Sequence, residues 1–173
     1  RSWELYLGTT LINHGYKLRL HSNKGPDIGI SDDGKTIWVE AIAVEKGDGQ
    51  DKVPGIEYGK EMDVPENNML LRLTSGLQEK YQKYKTYVEN GTIGKYDPFI
   101  IALDRSPLEH IDPQIPLILK CLFAIGHQVL FLKSSRHHKI SEGSSWSSRF
   151  SLNKISGSGV EMFMFGSNLF DGV

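Results

Sequence analysis

The chain has 173 residues, carries 20 Lys and Arg against 21 Asp and Glu for a net charge of −1, and is 39% apolar. That length supports one domain around a single sizeable core, and the apolar runs are too short for a membrane helix. The near-zero charge excludes a protein that coats nucleic acid nonspecifically, which needs a broadly basic surface, and the single cysteine, Cys121, excludes a disulfide scaffold and points to a reducing, cytoplasmic setting.

In chain order, "SWELYLGTTLINHG" places Trp3, Leu7, Thr10, Leu11 and His14 on one helical face, with Ser2 to cap it and Gly15 to stop it. "YKLRL" alternates as a strand does. "KGPDIGISDDGKTIWVEAIAVEKG" then reads as two strands joined by a two-residue Asp33-Gly34 turn. The segment after Val44, rich in Gly, Pro and charge, is longer than an ordinary connection, and such loops are usually functional or mobile. "MLLRL" fits a short strand, and "SGLQEKYQKYKTYVENG" a helix with a Ser75-x-x-Gln78 capping box and an apolar stripe of Leu77, Tyr81, Tyr84 and Val88.

"PFIIALD" predicts a buried strand, "QIPLILKCLFAIG" a buried helix and "HQVLFLK" another strand. "SSRHHKISEGSSWSSR" reads as a Ser-rich loop, and "RFSLNKI" with "VEMFMF" as a terminal hairpin around "SGSG". The whole is expected to be one domain over 1–173, with a core over 1–133 and the Ser-rich loop and C-terminal hairpin over 134–173. Charge is uneven along it: residues 1–66 carry eight Lys or Arg against twelve Asp or Glu, and residues 67–173 twelve against nine. A carboxylate site bordered by phosphate-binding surface produces such a split, and so does chance.

The Asp33-Gly34 turn sets Ser31 opposite Thr36, Gly29 opposite Trp38 and Asp27 opposite Glu40. Like charges so opposed are destabilising, and a shared proton, a nearby Lys or Arg, or a divalent cation would compensate. The bland alternative makes Asp27 a turn residue after Gly25-Pro26 and points Glu40 to solvent from an edge strand.

"GPD", a turn, and an apolar strand ending on Glu resembles the PD-(D/E)xK nuclease superfamily, also called restriction-endonuclease-like, and the order helix, strand, hairpin, helix, strand over residues 2 to 104 is similar to that family's. The resemblance implies an α/β fold with a mixed central sheet flanked by helices, here with an added C-terminal β-hairpin. It further implies a nuclease that hydrolyses phosphodiester bonds in DNA by a metal-activated water, with Mg²⁺ or Mn²⁺ held by Asp27, Glu40 and the Ala41 carbonyl. Glu4 matches a helix-borne acid that many members add to the metal site, although an acid in a first helical turn also complements the helix dipole.

The sequence departs from the family at Ile42, where the motif lysine is expected. Some members supply that lysine from the following helix, and Lys80, at the border of the apolar stripe, is the substitute here; an ordinary lysine snorkelling beside tyrosines would look the same. Lys83, Lys85 and Arg72 are the candidate nucleic-acid-binding residues. A homodimer is compatible with this reading, and no membrane is expected as a partner. The alternative, motivated by Ile42, is a catalytically inactive nuclease-like module that binds nucleic acid or a partner protein.

Other chemistries find little support. Adjacent His137 and His138 would point to opposite sides of an extended loop and lack partners at zinc spacing. No G-x-S-x-G elbow occurs, and "GDGQDKVPG" lacks the ending of a phosphate loop.

Overall fold

The computed structural model describes residues 2–19, 24–110, 114–134, 139–149, 151–154 and 159–161. They form α1 (Ser2–Asn13), β1 (Lys17–Arg19), β2 (Ile28–Asp32), β3 (Lys35–Ala43), α2 (Glu66–Glu89), β4 (Phe99–Asp104), α3 (Leu117–Phe123), β5 (Ile125–Ser134), β6 (Lys139–Ser148), β7 (Ser151–Asn153) and β8 (Gly159–Glu161). The central sheet has the order β1-β2-β3-β4. The first three strands are antiparallel neighbours, and β4 returns parallel to β3 after the crossover through α2. Among the described residues no helix is long and apolar enough to cross a membrane.

The hairpin register follows from its turn. Asp33 and Gly34 both have positive φ, 40° and 81°, the backbone twist that suits a two-residue connection between right-twisted strands. Ser31 therefore pairs with Thr36, Gly29 with Trp38 and Ile28 with Val39.

Alternation along the strands divides the sheet into two faces. Ile28, Ile30 and Val39 point to α1, where Leu7 and Leu11, joined by Leu18 of β1, pack on them, and the Trp3 indole N–H donates to the Ala102 carbonyl at 2.9 Å. Ile42, Val44, Ile101 and Leu103 point the other way, into the cluster built on Met69, Leu70, Leu73 and Leu77 of α2 together with Leu117 and Cys121 of α3. Each fully buried side chain of this kind contributes roughly 1.5–3 kcal/mol relative to exposure.

Several expectations are corrected. "MLLRL" is the first buried part of α2, not a strand: Met69, Leu70, Leu73 and Leu77 recur at helical spacing and are all buried, and Ser75 and Gln78 lie inside the helix. β4 is an edge strand with Ile100 exposed, because "HQVLFLK" does not join the central sheet. It lies in β5, which pairs with β6 in a separate two-stranded ribbon. The Ser-rich stretch over 139–148 is therefore strand rather than loop, since a ribbon satisfies its main chain by pairing and needs no apolar face. Beyond the ribbon, Leu152 of β7 packs back into the cluster formed by α2 and α3.

α3 is only seven residues long and leaves Leu119 and Phe123 exposed. The terminal hairpin is present as β7 and β8, with Leu152 opposite Val160. His137, His138 and the segment from Met162 onward lie outside the described residues.

The long segment between β3 and α2 has no regular structure, but its root is anchored. Val53 is fully buried, Arg72 Nε donates to the Glu45 carbonyl at 3.1 Å, and the His110 Nε2 and the Pro54 carbonyl lie 2.8 Å apart. Lys46 pairs with Glu109 at 2.6 Å, while Tyr58 near the far end of the segment is exposed.

Candidate active site

Asp27 ends the approach to β2, and Glu40 lies in the second half of β3. The paired register directs both toward the α2 face of the sheet. Asp27 Oδ2 accepts a hydrogen bond from the Ala41 N–H at 2.8 Å, which holds the carboxylate beside Glu40. Pro26 leaves this end of the β2–β3 ladder incomplete. Trp38 and Val44 direct their N–H groups to carbonyls on the β4 side, Pro98 and Asp104, so the intervening odd-numbered residues face β2. Continued past its last pair, Ile28 with Val39, the register sets Ala41 opposite Pro26, which has no N–H to offer the Ala41 carbonyl.

Glu40 is 1% exposed. Its Oε1 accepts from the Lys80 ammonium at 2.9 Å and from the Lys83 ammonium at 3.4 Å. Its Oε2 is buried with no hydrogen-bond partner, and it is the sole side-chain atom in that state among the described residues. A buried polar atom without a partner costs about 1–3 kcal/mol, more when charged, so such an atom in a folded protein asks for an explanation.

The helix brings the cations to Glu40 by its period. Positions 80, 83 and 87 are spaced three and four apart and share one face of α2. Tyr87 completes that face: burial, then the Glu40 carboxylate, by its charge and by a weak contact with the phenol hydroxyl, and Asp27 raise its phenol above the usual value against the opposing effect of Lys83. For Lys83, partial burial works downward, but the Glu40 carboxylate it contacts and the charge of Glu79 outweigh it and leave the ammonium above the ordinary lysine value.

The Ile42 position has a geometric reason. Its side chain packs on α2 at Gly76, where a Cβ would come within 2.6 Å of Ile42 Cδ1. Residue 42 thus fills a notch in the helix, and one turn further along Lys80 reaches Glu40. The ammonium beside the acid comes from the helix, and the strand position serves packing.

The remaining candidates are not gathered here. Glu4 stands half-buried in the first turn of α1, in the layer on the opposite face of the sheet. Among the described residues no three His, Cys, Asp or Glu side chains group as a metal ligand set. Lys85 lies over the Tyr81 ring at 5.2 Å, and Arg72 braces the β3–α2 segment. Trp38, two residues before Glu40 on the same face, is fixed by its Nε1 donating to Asp97 Oδ2 at 2.9 Å, with Arg19 5.7 Å from its ring centroid.

Sequence reasoning missed Tyr87 and Gly76. Both were within reach of it, Tyr87 one helical repeat after Lys80 and Gly76 one turn before it. No family model, no curated protein and no solved structure matches the chain.

Proposed function

We propose that the chain is a divalent-metal-dependent nuclease of the restriction-endonuclease-like kind, hydrolysing phosphodiester bonds in DNA. The observation that carries the reading is the buried, unpartnered Oε2 of Glu40, adjacent to Asp27 and to a main-chain carbonyl, Ala41, that faces a proline. Three oxygens of these types, with water filling the remaining positions, suit Mg²⁺ or Mn²⁺. A metal ion bound there supplies Lewis acidity and a nucleophile at neutral pH. The element order helix, three antiparallel strands, helix and parallel strand also supports the reading.

Asp27 is aimed by the Ala41 N–H and Glu40 by Lys80, so both carboxylates are pre-positioned by groups on rigid elements. Lys80 is the cation that takes the place of the motif lysine, available to orient a water or to stabilise charge that develops on the phosphate. Glu4 enters this function only if it crosses from the other face of the sheet.

The test is calorimetric titration with Mn²⁺ of the wild type and of Asp27→Ala, together with cleavage of plasmid DNA. Binding by the wild type that is lost in Asp27→Ala, with metal-dependent cleavage, is the expected result. A second reading is an inactive nuclease-like module that binds nucleic acid or a partner protein. It is favoured by the two ammoniums, which already balance the charge of Asp27 and Glu40. Wild type that binds no metal and retains DNA without cutting it decides for that module, and sedimentation of the same sample tests the homodimer.

A further inference from the structure

We infer that Lys83 is a displaceable counter-ion of Glu40, which yields its place when a divalent cation enters and turns to the phosphodiester. The inference rests on the nuclease reading above and concerns how that site passes from its resting to its loaded arrangement.

Two ammoniums share one oxygen of Glu40, and they are held very differently. The Lys80 side chain is 11% exposed and 2.9 Å from Oε1. The Lys83 side chain is 44% exposed and 3.4 Å from the same atom, with a second carboxylate, Glu79, 3.7 Å away one turn earlier on the helix. Lys83 can leave Glu40 without abandoning a buried contact or losing every anionic partner; Lys80 cannot.

Charge makes that difference consequential. Asp27 and Glu40 against Lys80 and Lys83 is a neutral group. A divalent cation bound at Glu40 Oε2 and Asp27 raises it to two positive charges in a site where Glu40 is almost wholly removed from water, and repulsion then falls on the cation with the longest contact and the easiest exit. The same departure places a positive charge at the exposed edge of the site, beside Tyr87, where the anionic substrate must arrive. Lys83 thus protects Glu40 in the resting state and serves the phosphate in the loaded one, whereas Lys80 holds Glu40 in both.

The two roles have opposite signs, which makes them separable from a merely structural one. Lys83→Gln removes the competing charge and should bind Mn²⁺ about 5- to 10-fold more tightly than the wild type by calorimetry. The same variant should bind a short DNA duplex, measured by fluorescence anisotropy with Ca²⁺ as the metal, several-fold more weakly, because a phosphate contact is gone. Unchanged or weaker Mn²⁺ affinity in Lys83→Gln overturns the displacement, and unchanged DNA affinity overturns the transfer to phosphate. Wild type that takes no Mn²⁺ overturns the nuclease reading itself, so the two failures are told apart in one set of titrations.

Discussion

Helix α2 carries two buried clusters of carboxylate and cation, completed in different ways. At its N-terminus both oxygens of Glu66 are engaged, Oε2 by Lys120 at 2.8 Å and Oε1 by Arg149 at 3.5 Å. Arg149 reaches Asn67 as well at 3.2 Å, and Lys120 lies 5.4 Å from the Trp146 ring centroid. In the middle of the helix two ammoniums crowd one oxygen of Glu40 and the other oxygen has none. A saturated carboxylate fastens elements together, here α3 and the β5–β6 ribbon to α2. A carboxylate with one buried oxygen left over is not accounted for by fastening alone.

The two clusters should differ most visibly in catalysis. Lys80→Ala should lower DNA cleavage by about 10²–10⁴-fold, the usual loss for one positioned catalytic group, while Mn²⁺ titration shows the metal still bound. Equal cleavage by wild type and variant would mean that the central cluster is as structural as the terminal one.

Stability gives the next effect. Lys120→Ala leaves Glu66 with Arg149 alone and removes a 3% exposed side chain, so urea unfolding should show a loss of roughly 3 kcal/mol. Mn²⁺ affinity should not change, and a change there would join two clusters that the geometry separates.

A smaller effect sharpens the account of residue 42. Gly76→Ala places a methyl 2.6 Å from Ile42 Cδ1 and should cost up to about 1 kcal/mol, the clash being offset in part by the better helix propensity of alanine. Because Cδ1 is the far end of a flexible side chain, Gly76→Ala combined with Ile42→Val should recover most of the loss. Failure of that rescue would place the strain in the backbone.

The smallest effect lies beside the central cluster. The hydrogen bond from Trp38, then the Gly94 N–H and the charge of Arg19, hold the Asp97 carboxyl below its usual value. A lowered folded value stabilises above the unfolded carboxylate range and is lost as pH falls through the folded value. The stability difference between wild type and Asp97→Asn should therefore be constant near neutrality and shrink below about pH 4. A difference that grows on acidification would contradict the assignment.

The parts of the fold legible in the sequence are those fixed by local chemistry. Asp33-Gly34 dictates a turn, the turn dictates the register, and the register brings Asp27 to Glu40; likewise the stripe at Leu77, Tyr81 and Tyr84 is enough to put Lys80 at the border of a buried face. The rest depended on long-range choices. "MLLRL" is apolar enough for either strand or helix, and only packing against both β3 and α3 makes it the buried start of a longer helix. Whether β5 extends the central sheet or pairs outward with a Ser-rich partner is not written in its own apolar run. Nor does an acid at position 40 announce which of its oxygens the lysines will take.

Cys121 lies at the centre of the contact between α2 and α3, fully buried, with Thr74 Oγ1 donating to its sulfur at 3.5 Å and its thiol pushed up by burial to about 11. An inaccessible, protonated sulfur is silent to alkylating reagents, and the chain has no other cysteine. Its rate of alkylation thus counts the openings, local or global, that expose the interface between these helices. The native thiol can also be left in place when a reactive cysteine is engineered at the surface, so that a single dye or spin label reports on the neighbourhood of Glu40 in an otherwise unaltered protein.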